Sequence, residues 1–196
     1  MTLLKDILYR VGLEQVVGST AVDIRNVAFD SRKVALNDLF IAIKGSVVDG
    51  HKYIKQACDQ GAVAIVCEEL PDLIVNGITY VQVRDSSEAL AYIADNFFEQ
   101  PSKELVLVGV TGTNGKTTVA TLLHQLYVKM GYAVGLLSTV ENKIGKTVLP
   151  ATHTTPDSLT INSLLRQMVV AGITHCFMEV SSHGIDQNRT LGLDFD

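Results

Sequence analysis

One segment constrains this chain more than any other: Val106-Leu107-Val108-Gly109-Val110-Thr111-Gly112-Thr113-Asn114-Gly115-Lys116-Thr117-Thr118. An apolar, β-rich run over 105–110 leads into a glycine-bearing turn, and Lys-Thr-Thr opens a helical pattern. Beyond Lys116, Val119, Leu122, Leu123, Leu126, Tyr127 and Met130 recur at helical offsets on one face, and Gly131 supplies a stop signal. A buried strand feeding a helix through such a turn is the layout of a nucleotide triphosphate cradle. Glycines let backbone N–H groups approach phosphate oxygens, and the helix N-terminus adds partial positive charge. Lys116 is placed to reach the β/γ-phosphates, and a threonine hydroxyl to ligate Mg²⁺. The match to G-x-x-x-x-G-K-[ST] is imperfect, because Val110 stands where glycine is expected and Gly109 falls one place early. The plain alternative is a β-turn-α connection whose glycines serve packing; it leaves Lys-Thr-Thr at the helix start unexplained.

The rest of the chain places this segment in a larger α/β organisation. A polar stretch with a proline, Glu99-Gln100-Pro101-Ser102-Lys103-Glu104, separates two segments. Residues 1–101 read as a small α/β domain. Its expected strands are 39–43, 62–67 and 78–83, and its expected helices are 51–60 and 86–98. Residues 102–196 read as the first part of a second α/β domain with a parallel sheet. Strands are expected at 105–110, 133–138 and 175–180. A helix is expected at 157–171, with an apolar face at Ile161, Leu164, Leu165 and Met168. Leu193-Asp194-Phe195-Asp196 reads as entry into another strand, and three strands alone leave a raw sheet edge. The expectation is a truncated second domain, or an edge covered by a partner.

Charge and cysteine content exclude several classes. Net charge is −5, with 9 Lys/Arg against 14 Asp/Glu in residues 1–101 and 7 against 7 in residues 102–196. Neither half is basic, which argues against a nucleic-acid platform. An anionic ligand must then be held by local groups rather than by a global field. No apolar run reaches membrane-spanning length, and the first residues lack a secretory signal. Cys58, Cys67 and Cys176 are odd in number and widely spaced, as in the reduced core cysteines of a cytoplasmic protein.

Further segments combine with the cradle into a family resemblance. Thr111 to Thr118 resembles the phosphate loop of the Mur ligases, Thr-Gly-Thr-x-Gly-Lys-Thr, which accounts for Val110. Asp30-Ser31-Arg32, Asp38-Leu39-Phe40-Ile41-Ala42 and Lys44-Gly45 resemble that family's uridine-binding first domain. His153-Thr154-Thr155-Pro156-Asp157 resembles its substrate loop. Glu179-Val180-Ser181-Ser182-His183-Gly184, continuing to Gln187-Asn188-Arg189, resembles its metal and substrate segment. Within the family the likeness is to the member that adds the third residue of the peptidoglycan stem peptide, over its first domain and roughly half of its second.

The resemblance implies roles residue by residue. The loop Thr111, Gly112, Thr113, Asn114, Gly115, Lys116, Thr117 and Thr118 would hold ATP, with Asn114 and Lys116 on phosphate oxygens and Lys116 the catalytic residue. Thr117 and Glu179 would hold Mg²⁺. A carboxylate at a strand's C-terminal end faces the crevice where α/β sheets bind ligands; the alternative for Glu179 is capping of the next helix. Ser31, Asn114, Thr154, Thr155, Ser181, Gln187 and Arg189 would contact the UDP-muramoyl substrate. The structural alternatives are a turn hydroxyl for Ser31, turn and capping chemistry for the threonine pair, and a surface salt bridge for Arg189. His183 is read as ordering its turn, and His51 and Arg32 as surface or structural residues. Val47 and Val48 fall where many members carry polar residues beside uracil, leaving backbone groups for that contact.

The activity so implied is ATP-dependent amide formation in the cytoplasm. The γ-phosphoryl group passes to the D-Glu carboxylate of UDP-N-acetylmuramoyl-L-alanyl-D-glutamate, and the amine of meso-diaminopimelate or L-lysine displaces phosphate. This is largely positioning and electrostatic work, so no nucleophilic side chain is required. The family's carbamylated lysine and its third domain would fall beyond Asp196, so the expectation for these 196 residues alone is no ligase activity. Competing readings are a folate polyglutamate synthetase-like ligase, a non-catalytic UDP-sugar or nucleotide-binding module, and a generic P-loop switch, which would carry an aspartate at the strand end.

Overall fold

A computed structural model describes residues 2–45, 48–151 and 153–196. The chain divides into two compact units, Met1–Phe97 and Phe98–Asp196, each with its own core. Residues 98–104 go with the second unit because Arg166 holds them there. Its guanidinium donates to the carbonyl oxygens of Phe98 (2.8 Å) and Glu99 (2.9 Å) and to the Glu104 carboxylate (2.8 Å).

The first unit begins with β1 (Thr2–Leu3), α1 (Leu4–Ile7), β2 (Leu13–Val17), β3 (Asp23–Ile24), β4 (Val27–Ala28) and β5 (Leu39–Ile41). It continues through α2 (Ile54–Asp59), β6 (Ala64–Cys67), β7 (Thr79–Val83) and α3 (Ser86–Phe97). The main sheet runs β2-β7-β6-β5-β4, with β4 to β7 parallel and β2 antiparallel on β7. Its parallel strands are apolar runs with hardly a polar break, as expected where helices cover both faces. Phe40, Ile65, Cys67 and Tyr80 pack with Ile54 and Ala57 of α2. Burial in that cluster pushes the Cys67 thiol up to about 11. The helix expected at 51–60 opens instead as a 3₁₀ turn, Gly50–Tyr53, in which the Asp49 side chain accepts from the His51 N–H.

The second unit comprises β8 (Val106–Val110), α4 (Lys116–Lys129), β9 (Val134–Leu137), β10 (Glu141–Ile144), β11 (Thr147–Pro150), α5 (Ser158–Val170), β12 (His175–Glu179) and α6 (Ser182–Asp186). The sheet order is β11-β10-β9-β12-β8, with β9, β12 and β8 parallel. The apolar pattern predicts only three strands here. The hairpin of β10 and β11 extends the sheet beyond β9 and makes it mixed, turning through Gly145 at φ 57°. At the opposite edge the Asp196 N–H donates to the Leu107 carbonyl (3.0 Å), which sets the last residue beside β8, although residues 193–196 form no strand.

Period-two alternation decides which face each β12 side chain joins. Cys176 and Met178 pack on the side of α5, with Ile161, Leu165 and Met168. Phe177 packs on the opposite side, with Ala120, Leu123 and Tyr127 of α4. By the same alternation Glu179 emerges on the α4 side, where that helix begins.

The apolar face read for α4 needs correction. Val119, Leu122, Leu126 and Met130 are 46–60% exposed, while Ala120 and His124 are buried and Leu123 and Tyr127 half-buried. At about 100° per residue, these residues form two adjacent stripes rather than one. Only the stripe of Ala120, Leu123, His124 and Tyr127 meets the sheet.

Candidate functional site

The C-terminal ends of β8 and β12 lie side by side, with Glu179 opposite Val110 and the Val180 N–H donating to the Val110 carbonyl (2.9 Å). The phosphate loop starts at this point. Gly112 (φ 143°) and Gly115 (φ 80°) take conformations that L side chains rarely adopt, and Gly115 is the N-cap of α4. Thr111, Gly112, Thr113, Asn114 and Gly115 are exposed, as is Thr118. The first-turn N–H groups of a helix have no intrahelical acceptor, so this loop and helix start form a donor-lined concavity for an anion. Lys116 Nζ folds back onto the Gly112 carbonyl (2.7 Å), which holds the ammonium over the loop.

Glu179 is the hub of the site. The residue is 1% exposed, and its carboxylate accepts from Thr117 Oγ1 (2.9 Å), the Thr139 N–H (2.8 Å) and Thr139 Oγ1 (3.2 Å). It does not cap the following helix: Ser181 does so, accepting from the Gly184 N–H (3.0 Å). Thr139 Oγ1 also lies 3.1 Å from Thr154 Oγ1. With one proton it serves a single acceptor at a time; donation to the carboxylate is the stronger bond, and Thr154 then supplies the proton between the two threonines. Thr117, Glu179, Thr139 and Thr154 thus form one continuous chain from the phosphate loop to the 153–157 loop.

Thr155 and Arg189 tie that loop to α6. Thr155 is buried, its hydroxyl donating to the Glu179 carbonyl (3.0 Å) and accepting from the Ser181 N–H (2.9 Å). It serves the architecture of the loop, which leaves its backbone for any ligand contact. Gly184 is required beneath it, since a Cβ there would lie 2.8 Å from Thr155 Cγ2. Arg189 donates to the Thr155 carbonyl (2.6 Å) and, through Nε and Nη2, to Gln187 Oε1 (3.0 and 2.6 Å). Gln187 Nε2 lies 2.9 Å from His183 Nε2. Arg189 therefore orders two loops rather than making a surface ion pair. The cap of α5 is Asp157, which accepts from the Thr160 N–H, so the threonine pair is not needed for that task.

In the first unit, Ser31 is buried and its hydroxyl meets Gln56 Oε1 of α2 at 3.1 Å. Asp30, not Ser31, caps the short turn at 31–33 and holds Arg32 through paired bonds of 2.9 and 2.8 Å. The hydrogen-bonded Arg32 guanidinium lowers the Asp30 carboxyl to about 2. His51 spans two elements, bonding the Asp49 carboxylate through Nδ1 (2.7 Å) and accepting the Glu68 N–H at Nε2 (2.9 Å). Val48 is exposed; Val47 lies outside the described residues.

The donor set around Glu179 fits Mg²⁺: one carboxylate and two threonine hydroxyls beside an anion cradle. Mg²⁺ is bound through one or two carboxylates, retained waters and phosphate oxygens. Thr139 is the residue that sequence reasoning missed. A threonine just past a strand carries no motif, and only the pairing of β9 with β12 brings it to Glu179. No helix among the described residues is long and apolar enough to cross a membrane.

Residues 110–196 match the Mur ligase middle domain, and residues 23–98 match the Mur ligase family catalytic domain. The chain is 55% identical over 193 residues to the UDP-N-acetylmuramoyl-L-alanyl-D-glutamate--2,6-diaminopimelate ligase of Cytophaga hutchinsonii. It is 49% identical over 193 residues to the ligase of that name from Bacteroides thetaiotaomicron. The alignments cover 98% of this chain, which spans 40% of the length of these relatives. A solved structure of a ligase of that name superposes with a TM-score of 0.79 at 24% identity, over 100% of this chain and 39% of that one. The MurF ligase of Thermotoga maritima in complex with ADP gives a TM-score of 0.54 at 25% identity, over 81% of this chain and 32% of that one.

Proposed function

The chain belongs to the Mur ligase family, and from that premise we propose that it forms the nucleotide-handling part of an ATP-dependent ligase of peptidoglycan precursor synthesis. The reaction would join diaminopimelate to UDP-N-acetylmuramoyl-L-alanyl-D-glutamate through an acyl phosphate. The choice of diaminopimelate over L-lysine rests on the names of the relatives.

One observation carries the reading: Thr117, at the start of α4, donates to the buried carboxylate of Glu179 at the end of β12 (2.9 Å). That contact joins an anion-binding loop to a hard oxygen donor in the crevice where parallel sheets bind ligands. Lys116, Asn114 and the loop N–H groups would hold the ATP phosphates. Thr117 and Glu179 would hold Mg²⁺, which when bound offsets charge on the transferring phosphoryl group. Thr139 would keep the Glu179 carboxylate in place. Thr154, Ser181, Gln187 and Arg189, with the Thr155 backbone, would receive the muramoyl dipeptide. Neutral hydroxyls and an amide suit sugar and peptide groups, and a guanidinium suits a carboxylate or pyrophosphate. Ser31 would meet the uridine diphosphate from the first unit. The ADP complex of the MurF ligase supports the use of an adenine nucleotide.

Calorimetry with UDP-N-acetylmuramoyl-L-alanyl-D-glutamate and, separately, with a folate tests the assignment. The account expects binding of the uridine nucleotide and none of the folate. Preference for folate, or binding of neither, overturns it.

A further inference from the structure

We propose that Thr139 is a positioning residue that couples the two halves of this site. With Mg²⁺ on Glu179, the Thr139 proton turns from the Glu179 carboxylate to Thr154, and the Thr154 hydroxyl is freed to donate to an oxygen of the UDP-muramoyl peptide. This rests on the metal and substrate readings above and adds the link between them.

Thr139 Oγ1 lies within hydrogen-bond reach of two acceptors, Glu179 Oε2 at 3.2 Å and Thr154 Oγ1 at 3.1 Å. A hydroxyl has one proton and two lone pairs, so it donates to only one of them. Donation to an ionised carboxylate is the stronger choice. While the carboxylate is the available acceptor, the chain therefore runs from Thr154 to Thr139 to Glu179, and the Thr154 proton is engaged inside it. Thr154 then presents only lone pairs to a ligand. Lone pairs do not bond the carbonyl, carboxylate and phosphate oxygens that a muramoyl dipeptide nucleotide carries.

Glu179 loses acceptor capacity when it ligates a cation. Its Oε2 already accepts from Thr117 (2.9 Å) as well as from Thr139, and a carboxylate oxygen has about two lone-pair sites. Oxygens at adjacent positions of an octahedron, about 2.0–2.1 Å from Mg²⁺, lie about 2.9 Å apart. That is the distance between Thr117 Oγ1 and Oε2, so Oε2 is the oxygen spaced to share a cation with Thr117. Once it does so, one of its two hydroxyl donors must leave. Thr139 has the longer bond and an alternative acceptor 3.1 Å away, so its proton turns to Thr154. The Thr154 proton, displaced from that contact, turns towards the ligand.

The surrounding bonds leave only the protons to move. The Thr139 N–H donates to Glu179 Oε1 (2.8 Å), so the residue stays at the carboxylate whichever way its hydroxyl turns. Thr155, next to Thr154, is buried and donates to the Glu179 carbonyl (3.0 Å), and Arg189 holds the Thr155 carbonyl (2.6 Å). Both threonines are thus anchored to one residue, Thr154 through the Glu179 side chain and Thr155 through its backbone. Rotation of two hydroxyls suffices to link metal binding to the 153–157 loop.

Calorimetry tests the coupling. Affinity for UDP-N-acetylmuramoyl-L-alanyl-D-glutamate is measured alone and with saturating Mg·ADP, which lacks the γ-phosphoryl group that would itself meet the substrate. Wild type is expected to bind the uridine nucleotide about tenfold more tightly with Mg·ADP, a usual size for coupling between sites. With ADP and no Mg²⁺ the gain is expected to vanish. Thr139→Val keeps the shape and the N–H but has no hydroxyl, and Thr154→Val removes the far end of the chain. In both, the gain is expected to fall below about twofold. Thr139→Ser, which keeps the hydroxyl, is expected to restore it. Each gain is a ratio within one variant, so a general loss of affinity does not imitate the effect. Where wild type binds both ligands, four results overturn the proposal: no gain, a gain without Mg²⁺, a gain retained in either valine variant, or no rescue by Thr139→Ser. Failure of wild type to bind Mg·ADP or the uridine nucleotide overturns instead the readings on which the proposal rests.

Discussion

Replacing Glu179 separates its structural role from its proposed metal role. The residue is 1% exposed, and its carboxylate accepts from one backbone N–H and two hydroxyls. Glu179→Ala leaves the Thr139 N–H and the Thr117 hydroxyl without their acceptor in a partly buried space. An unsatisfied group costs up to about 1–3 kcal/mol, so the expected loss for the two is about 2–6 kcal/mol. In a unit of this size 1 kcal/mol shifts the melting temperature by about 4–8 °C, which predicts a fall of at least about 8 °C. Glu179→Gln keeps the volume. Its amide oxygen takes the Thr139 N–H, and its NH₂ faces hydroxyls that rotate from donor to acceptor, so stability should stay within about 1 kcal/mol of wild type. The neutral amide is nevertheless a poor Mg²⁺ ligand, and Mg²⁺-dependent affinity for a fluorescent ATP analogue should fall about tenfold or more. Thermal unfolding and nucleotide titration on both variants provide the assay. Wild-type Mg²⁺-dependent binding in Glu179→Gln refutes the metal role. A Glu179→Gln melt as depressed as that of Glu179→Ala refutes the hydroxyl-exchange argument.

The geometry sets three further outcomes. Gly184→Ala drives a Cβ to within 2.8 Å of Thr155 Cγ2 and 3.2 Å of Ser181 Oγ; a thermal melt should show a loss of about 1–3 kcal/mol, and an unchanged melt would mean that Thr155 moves freely. His124 is buried with neither ring nitrogen partnered, and desolvation, reinforced by Lys143 and opposed by Glu141, lowers its pKa. Its unfolded state binds the proton more readily, so its contribution to stability falls as pH drops through the unfolded value. His124→Leu should therefore stabilise the chain more at acid pH than at alkaline pH in chemical denaturation; an equal gain at both would contradict this. Asp30, lowered to about 2 by its hydrogen bonds from Arg32, contributes stability that is present above its unfolded value of 3.8 and is lost as pH falls through 2. An NMR titration should place its midpoint there in wild type and nearer 3.8 in Arg32→Ala; equal midpoints would remove the pair as the cause.

The parts of the fold that were legible in the sequence are those whose signal is local. The strand ending at Val110, the glycine turn and the helix from Lys116 announce themselves through composition and period. Glu179 was legible as a carboxylate closing an apolar strand. The β10 and β11 hairpin was not, because Glu141-Asn142-Lys143 breaks the apolar alternation that marks a strand. The available signal was Ile144-Gly145-Lys146-Thr147, with glycine leading a two-residue turn. The buried face of α4 was misassigned because its apolar residues cover an arc wider than the sheet can bury. Thr139 and Gln56 were invisible for a different reason. Each acquires its role from a partner distant in sequence, Glu179 at 40 residues and Ser31 at 25, and no local pattern encodes such a meeting.

The central claim is that residues 111–118 and Glu179 together hold Mg²⁺ and the phosphates of ATP. Calorimetric titration of the chain with a non-hydrolysable ATP analogue, with and without Mg²⁺, in wild type and Lys116→Ala, tests it most directly. The account predicts Mg²⁺-dependent binding by wild type and a loss of at least about tenfold in Lys116→Ala. Binding that is indifferent to both Mg²⁺ and Lys116 would contradict it.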